Sequence, residues 1–248
     1  MLRAIKKEFK NLASPAKAAA LARFFKTGRG EYAEGDIFLG LTVPQTRRLA
    51  EKYAALLTLS QTSALLRSPF HEERLAALLI LKEKYARGSG SDKARVFRLY
   101  ISSTRFINNW DLVDLSAEHI AGAWLEDKDK RPLFRLARSK LLWERRIALL
   151  ATFRYIKSGK SFLTLQLIKE VLEDTHDLMH KAAGWMLREV GKRCSKRILE
   201  NFLKANYTRL PRTALRYAIE HFPEKERLKY LRGNFRGKSQ RITLKQQN

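Results

Sequence analysis

The chain repeats itself. Four segments carry a basic residue followed two places later by alanine inside an apolar stretch: Arg74-Leu-Ala76, Arg146-Ile-Ala148, Lys181-Ala-Ala183 and Arg212-Thr-Ala214. The intervals are 72, 35 and 31 residues, and the first is twice 36, which calls for a further unit at residue 110. Trp110 stands there, in Asn108-Asn-Trp-Asp-Leu-Val-Asp114. A period in the thirties with two helices per unit is the mark of a helical-pair solenoid. One such unit cannot bury its apolar face alone, so units must stack. The expected fold is all-α, a curved α-α superhelix of HEAT-like helical-pair repeats, forming a single domain over residues 1–248.

Local pattern supports helices and little else. Gly and Pro together number 18 of 248 residues, too few for a sandwich with a turn every ten residues. Helical periodicity predicts elements at 15–25, 46–57, 60–67, 69–86, 93–102, 109–125, 130–138, 141–157, 161–173, 176–192, 195–204 and 211–221. Residues 31–44, with Gly35, Gly40 and Pro44, are the least regular stretch. RGSGSD at 87–92 reads as a loop inside the pattern. Residues 224–248 carry eight Lys+Arg and two acids and read as a basic tail, partly loosely held.

Formal net charge is +25, from 50 Lys+Arg against 25 Asp+Glu. A compact protein with that excess repels itself, and a polyanionic partner relieves the strain. The excess is spread along the chain, which points to a charged face more than an appended tail. Nucleic acid is the first partner it fits, ahead of an anionic membrane surface. The single cysteine, Cys194, excludes a disulfide framework and a cysteine-built metal site. The longest wholly apolar run, Leu75–Leu81, is seven residues, so no membrane span is expected. The N-terminal MLRAIKKEFKNLASP lacks the apolar core of a secretory signal. A cytoplasmic protein is expected, without membrane partner, metal or cofactor.

The repeat register predicts a surface. Residues four apart share a helix face, which pairs Trp110 with Asp114, Arg146 with Leu150, and Lys181 with Trp185. Arg188 lies near the same face and Arg145 at its edge. Basic groups interleaved with tryptophans are a means of holding a phosphate backbone while touching sugars or bases. A carboxylate among them weakens polyanion binding, so Asp114 calls for either a structural partner or a catalytic reason.

Each of these residues also has a plainer reading. Arg74 and Arg212 suit inter-repeat contacts. Trp124 and Trp143 suit the core. Asp111 suits a first-turn acid near a helix start capped by Asn108 or Asn109. His176 and His180, four apart, have no Glu-flanked zinc motif and read as surface. Phosphate-cradling loops, dinucleotide fingerprints and serine or cysteine nucleophile motifs are absent from the sequence.

The segments GEYAEGDIFLGLTVPQTRR (30–48), NNWDLVD (108–114), LLWERRIALL (141–150) and HKAAGWMLREVGKR (180–193) resemble the DNA alkylation repair family of AlkD-like alkylpurine DNA glycosylases. The resemblance runs from about residue 15 to 220. It implies a curved stack of HEAT-like pairs that binds duplex DNA, and excision of cationic N3- and N7-alkylated purines from double-stranded DNA. It implies catalytic roles for Asp114, Trp110 and Trp185. DNA contacts fall on Arg146, Arg188, Lys181 and Tyr32, with Arg145 beside Arg146 as a departure from a single arginine. A monomer, nucleoid-associated in a bacterium, is expected.

One carboxylate is enough for this chemistry. Ordinary glycoside cleavage uses an acid for the leaving group and a second carboxylate. A purine alkylated at N3 or N7 is already cationic and departs neutral, so the remaining task is to stabilise an oxocarbenium-like sugar and position water. The resemblance implies that this occurs without extruding the base. A non-catalytic HEAT-repeat module binding DNA or RNA structure accounts equally for charge, repeat and tryptophans. A protein-binding solenoid fits +25 poorly.

Overall fold

The computed structural model describes residues 1–234. In chain order its α-helices are α1 (Leu2–Asn11), α2 (Pro15–Phe24), α3 (Val43–Tyr53), α4 (Leu59–Leu66), α5 (His71–Arg87), α6 (Gly90–Ser102), α7 (Trp110–Asp114), α8 (Arg131–Ala137), α9 (Leu142–Ala151), α10 (Phe153–Lys157), α11 (Phe162–Glu170), α12 (Asp177–Arg193), α13 (Lys196–Asn206), α14 (Arg212–Ala218) and α15 (Glu224–Arg232). A 3₁₀ turn covers Thr104–Phe106 and a π-helical turn covers Glu118–Gly122. Extended pairing among the described residues is confined to one isolated bridge between Ile37 and Phe70. The fold is all-α. No helix among the described residues is long and apolar enough to cross a membrane.

The chain forms two compact units, Met1–Arg154 and Tyr155 onward. In the first, α5 is the central helix, packed against α3, α4 and α6. Leu75, Leu78, Ile80 and Leu81 of the seven-residue apolar run are buried, and Leu79 is partly exposed. α9 packs against α7 and α8. In the second unit α12 is central, packed against α11, α13 and α14. Start signals are local: Thr42 with Gln45, Thr58 with Gln61, and Ser89 with Asp92 each close a reciprocal capping box.

The structure resets the repeat register. The residues preceding α5, α7, α9, α12 and α14 are Phe70, Asn109, Leu141, His176 and Pro211. Counted from there, Arg74 and Arg145 are equivalent. Arg74 Nη1 donates to the carbonyls of Ser68 and Pro69, and Arg145 Nη1 to those of Ser139 and Lys140. The His180 ring meets the Asp174 carbonyl in the same way. Arg146 is therefore not the counterpart of Arg74, nor Trp110 of Arg146. Asp114 is the counterpart of Arg146 and Lys181. The cause is the 3₁₀ turn and loop at 103–109, which lengthen one interval to 39 residues.

Other expectations are corrected too. The single helix expected over 109–125 is broken. Ser116 Oγ donates back to the Leu112 carbonyl at 2.6 Å and α7 ends at Asp114, before the π-helical turn. Gly122 lies so close to α9 that a Cβ there would strike the Ala151 carbonyl oxygen. The stretch 141–157 divides into α9 and α10. Trp124 and Trp143 are half-exposed rather than core; Trp124 stacks on Phe97 under Lys128, and Trp143 meets Tyr32 edge-on. His176 and His180 are half-buried and cap α12 and its approach. The start of the expected basic tail is helical, as α15, and residues 235–248 lie outside the described residues.

Candidate active site

α7 has five residues, too short to hold itself, so its place is imposed by its surroundings. Asn109 Oδ1 accepts the Trp110 N–H at 2.8 Å. The Trp110 ring stacks on Phe25 at 5.3 Å and meets Phe24 edge-on at 6.2 Å. Phe25 is buried, whereas Phe24 at the end of α2 is 64% exposed. An aromatic ring open to solvent thus lies beside a tryptophan anchored from behind.

Asp114 closes α7 and faces α9. Arg146 Nε donates to its Oδ1 and Nη2 to its Oδ2, both at 2.8 Å. The guanidinium side chain is 6% exposed and the carboxylate 20%. This is a parallel two-pronged pairing, the strong form of a carboxylate–arginine contact. It follows from the register: equivalent positions on packed neighbouring repeats carry opposite charges. Burial pushes the Asp114 carboxyl above its ordinary value, Arg146 opposes that shift, and the nearby charge of Asp111 adds to it. The result is a carboxylate under tension, open to solvent on one side.

Asp111 is the second carboxylate of α7 and has a different partner. Its Oδ2 meets His71 Nε2 at 2.9 Å, and its Oδ1 accepts the Leu112 N–H at 2.8 Å. His71 Nδ1 meets Asp36 Oδ2 at 2.9 Å, and Asp36 Oδ1 is held by Arg74 Nη2. A buried chain of alternating charge thus runs Arg74, Asp36, His71, Asp111. The burial of His71 alone would lower its pKa; its hydrogen bonds to Asp111 and Asp36 outweigh that and carry it to about 9. Glu72, next to His71, accepts the backbone N–H groups of Leu39, Gly40 and Leu41. The irregular segment 31–44 is therefore fixed to the start of α5 by two acids, Asp36 and Glu72.

The remaining residues singled out from sequence are placed as follows. Tyr32 is half-buried against Trp143. Arg145 fastens the 139–140 carbonyls, so of the two adjacent arginines it is Arg146 that reaches Asp114. In the second unit Lys181 pairs with Asp177 at 2.8 Å. Trp185 is half-buried. Arg188 is held by Glu220, with Glu189 nearby. Phe24, Phe25, Asp36 and His71 escaped the sequence reading. The signal was present: Asp36, His71 and Asp111 stand 35 and 40 residues apart, close to the repeat period. Among the described residues no cluster of three or more His, Cys, Asp or Glu is arranged to hold a metal.

Fold and site together define a helical-pair repeat protein with a carboxylate–guanidinium centre beside a tryptophan. The profile of the DNA alkylation repair enzyme family matches residues 5–222, and the chain belongs to that family. A solved structure described as a predicted DNA alkylation repair enzyme from Enterococcus faecalis shares the fold. The match has a TM-score of 0.68 at 18% identity and covers 86% of this chain and 97% of that one. No curated protein matches.

Proposed function

We propose that this member of the repair family is a monofunctional DNA glycosylase that excises cationic N3- and N7-alkylated purines from duplex DNA. The observation that carries the proposal is the Asp114–Arg146 pair at the half-open end of α7, one turn from Trp110. In the reaction the C1′–N bond breaks and its electron pair leaves with the purine, which becomes neutral. The deoxyribose is left as an oxocarbenium-like cation. The Asp114 carboxylate stabilises that cation and orients the water that adds to C1′, and the water's proton is released to the carboxylate or to solvent. An abasic site remains.

Arg146 does not hold phosphate in this reading. Its fork is spent on Asp114, which keeps the carboxylate ionised and aimed. Trp110, backed by Phe25, packs against the deoxyribose, and its face suits a cationic neighbour. Trp185 contributes a second aromatic contact, while Lys181, Arg188, Tyr32 and Arg145 contact the duplex backbone. The solvent-open side of Asp114 and the exposed ring of Phe24 support attack on a base that stays within the duplex. The protein acts as a monomer, on DNA, without metal or cofactor.

The test is release of free base. Duplex containing 7-methylguanine is incubated with the protein, and liberated base and abasic sites are counted. Stoichiometric appearance of both supports the proposal. Tight duplex binding without release would favour a non-catalytic DNA-binding module, since that reading needs the charge and the tryptophans but not Asp114.

A further inference from the structure

His71 opens α5 with its ring 2% exposed and both nitrogens committed to carboxylates. Carboxylate oxygens only accept hydrogen bonds, while a neutral imidazole has one N–H and one lone pair. A neutral ring would set a lone pair against Asp36 or Asp111 at 2.9 Å. The geometry therefore requires an imidazolium. Phe38 stacks on the ring at 4.5 Å and Phe25 lies tilted against it at 5.1 Å. The charged groups around it are Asp36 from the 31–44 segment, Asp111 from α7 and, bonded to the other oxygen of Asp36, Arg74 on its own helix. Its neighbour Glu72 is turned to the 39–41 amides.

Two lines of support run from this ring into α7. One is the bond to Asp111. The other is Phe25, which lies tilted against His71 and stacks on Trp110. We propose that His71 is the positioning residue of the Asp114 centre: clamped between Asp36 and Asp111, it fixes the first turn of α7 and offsets part of the charge of Asp111, so that Arg146 stays the dominant charge on Asp114. This inference rests on the glycosylase reading of Asp114 and adds a residue that acts through others. Without the imidazolium, Asp111 faces Asp114 uncompensated three residues away on the same short helix, and like charge disfavours ionisation.

The test combines a spectrum with a pH profile. In the full-length protein, ¹⁵N spectra of the histidines should show both ring nitrogens of His71 protonated at neutral pH; a neutral ring there overturns the inference. In His71→Asn, single-turnover base release should fall by about tenfold or more, with duplex affinity retained. The acid limb of its pH profile should move to higher pH. Adding Asp111→Asn in the same chain should bring that limb back down, which a merely structural role would not do. An unmoved limb in His71→Asn overturns the inference. The carboxyl titration of Asp114, followed by ¹³C spectra in the free protein, separates the two proposals. If wild type releases no base, the glycosylase reading fails and this titration still reports on His71. If wild type releases base but the titration is the same in both proteins, the inference alone fails.

Discussion

Arg146 grips Asp114 with two parallel hydrogen bonds, Nε to Oδ1 and Nη2 to Oδ2, each 2.8 Å long. The two residues occupy the same position on consecutive repeats. A solenoid places equivalent positions side by side, so an acid on one unit and an arginine on the next meet without any special loop. The pair is buried enough to be strong and open enough to act on a ligand.

Removing Arg146 should therefore have two effects. Arg146→Ala leaves Asp114 without its cation in a partly buried place, which should cost about 3 kcal/mol of stability, read as a lowered urea midpoint. The Asp114 carboxyl, already raised by burial, should rise further. The acid limb of base release should move to higher pH in the protein that remains folded.

The His71 clamp makes stability pH-dependent on the alkaline side. Its folded pKa is raised from 6.5 to about 9, so its contribution is complete below pH 6.5 and is lost as pH rises through about 9. The stability difference between wild type and His71→Asn, measured by urea unfolding, should narrow across that window. On the acid side Asp36 acts oppositely. Burial alone would raise its pKa, but His71 and Arg74 lower it overall. Its contribution should persist above the ordinary carboxylate value and disappear as pH falls through the lowered one.

Gly122 tests the spacing of the helices that carry the pair. A Cβ at this position would meet the Ala151 carbonyl oxygen of α9 and the Arg154 side chain, and backbone cannot swing aside. Gly122→Ala should destabilise by about 1–3 kcal/mol and slow base release by displacing α7 from α9. Thermal unfolding and single-turnover kinetics read the two effects.

Duplex affinity should fall steeply with salt, because several Lys and Arg contacts release counterions from the phosphates. Arg188→Ala should weaken binding to damaged and undamaged duplex alike, as a backbone contact does. Fluorescence anisotropy across a salt series measures both. Loss confined to damaged duplex would mean that Arg188 reads the lesion.

The helical repeat was legible in the sequence because stacked units impose a period on the apolar pattern. The phase of that period was not. The basic-x-Ala anchors matched Trp110 to Arg146, four residues from the true counterpart, because a 3₁₀ turn lengthens one interval without changing local hydropathy. Asp114, Arg146 and Trp110 were still singled out, since their residue types are unusual where they stand. His71 and Asp36 were missed for a physical reason: their charges cancel only across 35 to 40 residues of chain, and a single buried histidine is indistinguishable from a packing residue until both its nitrogens have partners. Trp143 and Trp124 misled in the other direction, for a large ring is used at the surface of this protein as well as inside it.

The most direct measurement is single-turnover release of 7-methylguanine from duplex by Asp114→Asn, with Asp111→Asn beside it. The two acids share one short helix, but Asp114 is held by Arg146 and Asp111 by His71. Asp114→Asn should lose roughly 10²- to 10³-fold in rate, the usual effect of deleting one preorganised electrostatic group. Its duplex affinity should be equal to wild type or higher, since a negative charge near phosphate has gone. Asp111→Asn should lose far less. Release at the wild-type rate by a folded Asp114→Asn protein would contradict the account.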